Sequence, residues 1–335
     1  MPAPVIEVNQ LTKHFKIQSG WFHQKTKATV KAVSGVSFAI GKGETLGLVG
    51  ESGCGKSTLG RCIVRGIDAT SGEVLYHTEE GRMVDFLQLQ GDEYMKVRRD
   101  IQMIFQNPYS SLDPRMTVYD IISEPLTVDG KLSKSEIDDR VRYIAEKTGL
   151  NASYLRRYPH AFSGGQRQRI SIARALVGRP RLIVCDEAVS ALDVSVQAQI
   201  INLLRDLQDE LQISYLFISH DLSIVEHISD RVGVMYLGKL VELANTDSLY
   251  AEPKHPYTEA LLSAVPKPEP GAKKERIVLK GEVPNPANPP SGCAFHTRCR
   301  YRTERCASSE PELLEVAPGH YAACHYASEL RLRGV

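Results

Sequence analysis

Three short apolar runs organise the chain: Thr45–Val49, Leu182–Cys185 and Ser214–Ile218. None alternates strictly between apolar and polar positions, so each predicts a parallel strand buried on both faces. Between the second and third, Val196, Ile200, Leu203, Leu204, Leu207 and Leu211 recur at helical spacing within 194–211. The stretch therefore reads as strand–helix–strand, with a right-handed crossover. Residues 4–40 contain strand-like pieces ending in Val36–Ile40, followed by a turn at Gly41–Glu44. Residues 107 to about 175 are patterned mainly as helix and read as an inserted lobe. Beyond residue 230 short strands return, with one helix around Tyr257–Ala264. Residues 265–292 hold seven of the 18 prolines and predict a linker or irregular extended segment. The predicted class is α/β, with one large domain over 4–264 and a cysteine-rich segment over 293–335. No internal repeat or low-complexity tract is present.

Composition narrows the function. The 335 residues carry a net charge of +1, which argues against a dedicated nucleic-acid binder. The start, MPAPVIEVNQLTKHFK, has neither the apolar core nor the cleavage site of a signal peptide. The longest apolar runs, such as Val234–Leu237, are too short to span a bilayer. We therefore expect a cytoplasmic chain whose membrane role, if any, runs through a partner.

The first strand leads into Gly50-Glu51-Ser52-Gly53-Cys54-Gly55-Lys56-Ser57-Thr58, which contains G-x-x-x-x-G-K-[ST]. Strand, glycine loop and helix form the setting in which backbone N–H groups cradle phosphates. Lys56 is placed to reach the β- and γ-phosphates of a nucleotide, and Ser57 to ligate Mg²⁺. The ordinary alternative is a glycine-rich turn before a helix; strand, spacing, Lys and Ser together disfavour it. Asp186 and Glu187 end the second buried strand, where adjacent carboxylates are costly without a cation or a held water. Asp186 is then expected on Mg²⁺ and Glu187 on the attacking water. His220 follows the third strand, able to hydrogen-bond a γ-phosphate; a satisfied surface histidine is its plain alternative.

A P-loop alone leaves the class open. Ser163-Gly164-Gly165-Gln166-Arg167-Gln168-Arg169 resembles the signature sequence of ABC ATPases, with Phe162 where Leu is frequent. Ser163 can cap a helix continuing through Ile170, Ala173, Leu176 and Val177, with Gly164 and Gly165 exposing N–H groups at its positive end. The resemblance implies that this end meets the γ-phosphate held by a second cassette, so that two cassettes sandwich ATP. It further implies a Q-loop at Gln106, touching Mg²⁺ and the water, a D-loop over Ser190–Asp193 with Asp193 at its end, and a switch role for His220. It implies an antiparallel β subdomain beside the parallel core. Phe15 is the candidate to stack on adenine, with Trp21 and Phe22 as competitors and core packing as the alternative role. Ala188 departs from the Pro that usually follows the Glu; both carboxylates remain, so hydrolysis is expected to survive.

Gly50–Gly60, Phe105–Pro114 and His255–Leu262 extend the likeness to ATPase subunits of dipeptide and oligopeptide importers, specifically the second of their two ATPases. That implies a sister ATPase, two permease subunits and, indirectly, an extracytoplasmic solute-binding protein, with the chain peripheral on the inner face of the membrane. A homodimer stays open, as do a nickel or sugar importer and a soluble ABC ATPase not tied to transport.

Cys293, Cys299, Cys306 and Cys324 leave gaps of 5, 6 and 17 residues. Four thiolates can hold an iron–sulfur cluster or tetrahedral Zn²⁺. The importer resemblance implies a [4Fe-4S] cluster on these positions, with Zn²⁺ as the alternative and His296 and His325 as fallback ligands. Cys54, Cys62 and Cys185 read as packed thiols.

Overall fold

The structure is a computed structural model and describes residues 4–19, 25–128, 130, 132–265 and 276–335. The chain divides into two compact units. The first comprises Met1–Ile6, Ala39–Thr45 and Leu75–Ile218; the second comprises Glu7–Phe38, Leu46–Val74 and Ser219–Val335.

In the first unit, strands Ile101–Ile104, Leu182–Asp186 and Ser214–Ile218 form a parallel ladder, Ile101 facing Leu182 and Leu182 facing Ser214. Every residue of the latter two strands is buried, as unbroken apolar runs require. The helix Val194–Leu211 joins them and buries Ile200, Ile201, Leu204 and Leu207, one stripe of its surface. The lobe contains helices Pro108–Ser111, Val118–Thr127, Lys134–Lys147 and Gly164–Leu176. Capping boxes at Thr117/Asp120, Ser133/Glu136 and Ser163/Gln166 start the last three, each meeting backbone donors that the first turn leaves open. Arg174 donates to the Ser111 carbonyl at 2.6 Å and ties the short first helix to the fourth.

In the second unit, Leu46–Val49 pairs in parallel with Arg231–Val234. Strand Arg231–Tyr236 then pairs antiparallel with Lys239–Asn245, which pairs in turn with His320–Ala322. Leu314–Ala317 completes the edge as a hairpin with His320–Ala322. One buried carboxylate fastens this extension. Glu242 accepts from the Lys254 and His255 backbone N–H groups at 2.6 and 3.0 Å, and contacts His320 Nε2 at 2.7 Å. His255 caps the helix Pro256–Ser263, its Nδ1 accepting from the Tyr257 N–H at 3.1 Å. Of the proline-rich stretch, residues 265 and 276–292 are described, and within it the Pro286 carbonyl accepts from Lys31 N–H at 3.2 Å.

Candidate active site

The phosphate-loop residues lie in the second unit. Leaving its buried strand, the chain passes Gly50, Gly53 and Gly55 at φ of 148°, 80° and 109°. Two of these positions admit no side chain. A Cβ at Gly50 would lie 2.2 Å from the Met235 carbonyl oxygen, and one at Gly55 would lie 2.1 Å from that of Ala32. The loop thus turns back over Lys56, whose buried Nζ donates to the Gly50 and Glu51 carbonyls at 2.7 and 3.2 Å. The helix Lys56–Ile63, carrying Ser57 and Thr58 in its first turn, has Gly55 as its cap. No side chain caps it, and its first turn contains no acid. A helix start without an anion of its own favours one from outside. Ser52 and Cys54 both sit on the loop, and burial of Cys54 raises its thiol pKa despite the opposing pull of Lys56.

Groups distant in sequence hold the loop. Glu51 N–H donates to the Tyr257 hydroxyl at 2.8 Å, and Gly238 N–H to the Cys54 carbonyl at 2.8 Å. Arg298 forks onto the Glu51 carboxylate with two bonds of 2.6 and 3.0 Å. No sequence pattern signals these anchors. Ser219 N–H donates to the Leu48 carbonyl at 3.1 Å, and His220, exposed, follows two residues after the end of its strand. Phe15 is 41% exposed, with Lys13 Nζ 5.0 Å from its ring centre, so it is a surface ring rather than a core one. Its competitors Trp21 and Phe22 lie outside the described residues.

The acidic pair lies in the first unit. Asp186 is the last residue of its strand and fully buried. Glu187 stands just beyond it at φ 48°, a left-handed conformation that a non-glycine residue keeps only when its surroundings impose it. Its N–H donates to the Ile218 carbonyl at 3.0 Å, and its own carbonyl accepts from Ser190 N–H at 3.1 Å. Gln106 Nε2 donates to Glu187 Oε2 at 2.5 Å. Ala188 is buried. Asp193 caps the next helix, accepting from Val196 N–H at 3.0 Å, and its hydrogen bonds to Ser195 and Val196 lower its carboxyl pKa.

Ser163 and Gln166 bond reciprocally at the start of the helix Gly164–Leu176, which has no acid in its first turn. Gly165 is required by packing: a Cβ there would lie 2.5 Å from Val196 Cγ1. Arg167 fixes the preceding turn by donating to the Pro159 and His160 carbonyls, its guanidinium 4.1 Å from the centre of the Tyr109 ring.

Cys293, Cys299, Cys306 and Cys324 are not arranged as the expected ligands of a [4Fe-4S] cluster or of Zn²⁺. The four thiols do line one small cavity with His296 and His325. Among the described residues, however, no three His, Cys, Asp or Glu side chains are placed to hold one metal ion. Burial raises the Cys299 thiol to about 11, Cys324 to about 12, and Cys293 above its ordinary value. Thr303 Oγ1 already approaches Cys306 Sγ at 3.6 Å.

For Mg²⁺ the donor chemistry fits. The expected ligands, Gln106 and Asp186 in the first unit and Ser57 in the second, each carry an oxygen of the hard kind this ion takes.

A glycine loop closed over a lysine, a glycine-led capped helix and a buried strand-end carboxylate define an ATP-binding cassette. A family model for the ABC transporter matches residues 33–190, and one for the oligopeptide/dipeptide transporter C-terminal region matches residues 241–306. The chain belongs to the ABC transporter family of ATP-binding proteins. It is 53% identical to the oligopeptide transport ATP-binding protein AppF of Bacillus subtilis, over 97% of this chain and 98% of that one. It is 52% identical to the putative oligopeptide transport ATP-binding protein YkfD of the same organism, over 96% and 95%. Among solved structures it resembles cbiO1 of Clostridium perfringens, part of the complex cbiONQ (TM-score 0.61, 28% identity, 74% of this chain and 90% of that one). It also resembles the cassette MJ0796, solved as a dimer in a post-hydrolysis state bound to ADP and Pi (TM-score 0.61, 28% identity, 72% and 98%).

Proposed function

We infer that this chain is the ATP-hydrolysing subunit of an ABC importer for peptides. The observation that carries the reading is the 53% identity, end to end, with an oligopeptide transport ATP-binding protein, on a chain that keeps the phosphate loop, the acidic pair and the Ser163–Gln166 helix start. Residues 4–264 act as the cassette, and 293–335 as its C-terminal extension.

Lys56 and the loop amides of Gly50, Ser52, Gly53, Cys54, Gly55, Ser57 and Thr58 bind the phosphates, while Phe15 stacks on adenine. Ser57, Gln106 and Asp186 would hold Mg²⁺, which would supply positive charge against the nucleotide phosphates. Glu187, steadied by Gln106, orients the water for in-line attack on the γ-phosphorus, and His220 bonds the departing phosphoryl group. The products are ADP and phosphate. Ser163, Gly164, Gly165 and Gln166 serve the nucleotide of a second cassette, with Asp193 at the dimer seam. The dimeric MJ0796 cassette supports pairing of this kind.

No helix among the described residues is long and apolar enough to cross a membrane. The chain works at the cytoplasmic face, on two permease subunits and beside a sister ATPase, with a solute-binding protein outside. Affinity purification of the tagged chain from membranes tests the assignment. A co-purifying permease whose complex imports peptides with ATP turnover is the expected result. A permease specific for nickel or sugars, or recovery with nucleic acid alone, would overturn it.

A further inference from the structure

We propose that Arg298 is a positioning residue of the nucleotide site, acting through Glu51 to hold the phosphate loop open to an anion. The proposal deepens the ATP-binding reading and rests on it.

Glu51 follows Gly50 in the phosphate loop, so its carboxylate is a negative charge one residue from the turn that wraps the phosphates. A free carboxylate there would repel the ligand. Arg298 removes that penalty. Its guanidinium meets both Glu51 oxygens, at 2.6 and 3.0 Å, with the Arg298 side chain only 6% exposed. Such a fork fixes direction as well as charge, which a lysine ammonium cannot do. The donor is itself held in place. Arg298 N–H bonds back to the Phe295 carbonyl at 3.0 Å, and the Phe295 ring packs against Tyr236 and Tyr257 with centroids 5.3 and 5.4 Å apart. Tyr257 returns to the loop through its hydroxyl, which accepts the Glu51 N–H. Side chain and backbone of Glu51 are thus both gripped by late segments, with Arg298 some 247 residues away in sequence. The consequence is that the C-terminal segment sets nucleotide affinity without touching nucleotide.

Mg-ADP binding to the purified full chain, measured by calorimetry, tests this, with ATP turnover measured in parallel. R298Q should weaken Mg-ADP binding about five- to tenfold, the scale of one uncompensated charge at partly screened range. It should raise KM for ATP while leaving kcat within about twofold. R298K should recover part of the loss. E51Q/R298Q should restore affinity to within about twofold of the parent, because no unpaired charge remains. R298Q binding as tightly as the parent overturns the proposal, and so does a double variant as weak as R298Q. Should R298Q not fold, E51Q decides: it should bind Mg-ADP at least as tightly as the parent, and weaker binding counts against the idea. Failure of the parent chain itself to bind Mg-ADP would sink the ATP-binding reading instead.

Discussion

Gln106 Nε2 bonds to Glu187 Oε2 at 2.5 Å, bringing together residues 81 positions apart. The carboxylate that we assign to the attacking water is thereby held by the segment that opens the helical lobe. The bond is charge-assisted, and so stronger than one between neutral groups. Replacing Glu187 by Gln keeps the shape and removes the charge. E187Q should bind ATP normally and lower its hydrolysis by about 10²-fold or more, the usual scale for losing a positioned base. Phosphate release and nucleotide retention, measured on the same preparation, check it. Near-normal turnover would remove Glu187 from its role.

Lys56 is buried with its ammonium on the Gly50 and Glu51 carbonyls, so the group that we assign to the phosphates also fastens the loop. K56A should lose at least about tenfold in ATP affinity, since a buried charge-assisted contact is worth about 1.5–3 kcal/mol. Equilibrium binding of a fluorescent ATP analogue reads this directly. Unchanged affinity would place the phosphates elsewhere.

Gly165 lies so close to Val196 that a Cβ would sit 2.5 Å from its Cγ1. G165A should destabilise the first unit by about 1–3 kcal/mol through overpacking. Adding V196A should return most of that loss in a thermal melt. If G165A/V196A melts no higher than G165A, steric crowding is not what fixes this glycine.

His255 is buried, and burial lowers its pKa to about 3. It stays neutral in the fold, while in the unfolded chain it titrates near its ordinary 6.5. The unfolded state therefore takes up the proton first. Stability from this group is complete above about pH 6.5 and declines as pH falls toward 3. In urea titrations between pH 7 and 4, H255N should show a shallower acid loss than the parent, with Asn still able to cap the helix. Parallel pH curves would refute it.

The core strands and the connecting helix were legible because they are buried in every register or along one stripe. Thr45–Val49, Ser214–Ile218 and Val194–Leu211 occupy the predicted positions. The late helix runs Pro256–Ser263 rather than Tyr257–Ala264, because proline opens it and His255 caps it. The strand Ser71–His77, the helix Gly91–Asp100 and the terminal hairpin were not legible. The helix Gly91–Asp100 buries only Val97 and the strand Leu314–Ala317 buries no residue, while Ser71–His77 buries only Val74 and Tyr76. Within the site, Lys56, Ser163 and Asp186 stand in local motifs that one stretch of sequence displays. The Gln106–Glu187 and Glu51–Arg298 pairs are made only by folding, and no spacing rule links their members. The thiols erred in the opposite direction: their number suggested shared ligation, whereas the fold lines a cavity with them without converging three on a point.

The pairing of His320–Ala322 with Lys239–Asn245 makes the late residues part of the sheet. A protein shortened to its first 264 residues would bare the rim of Lys239–Asn245, an open row of donors and acceptors able to recruit strands from other molecules. It would also strand the Glu242 carboxylate without His320. Such a fragment should be recovered as aggregate, so trimming the chain to a minimal cassette removes solubility together with the tail.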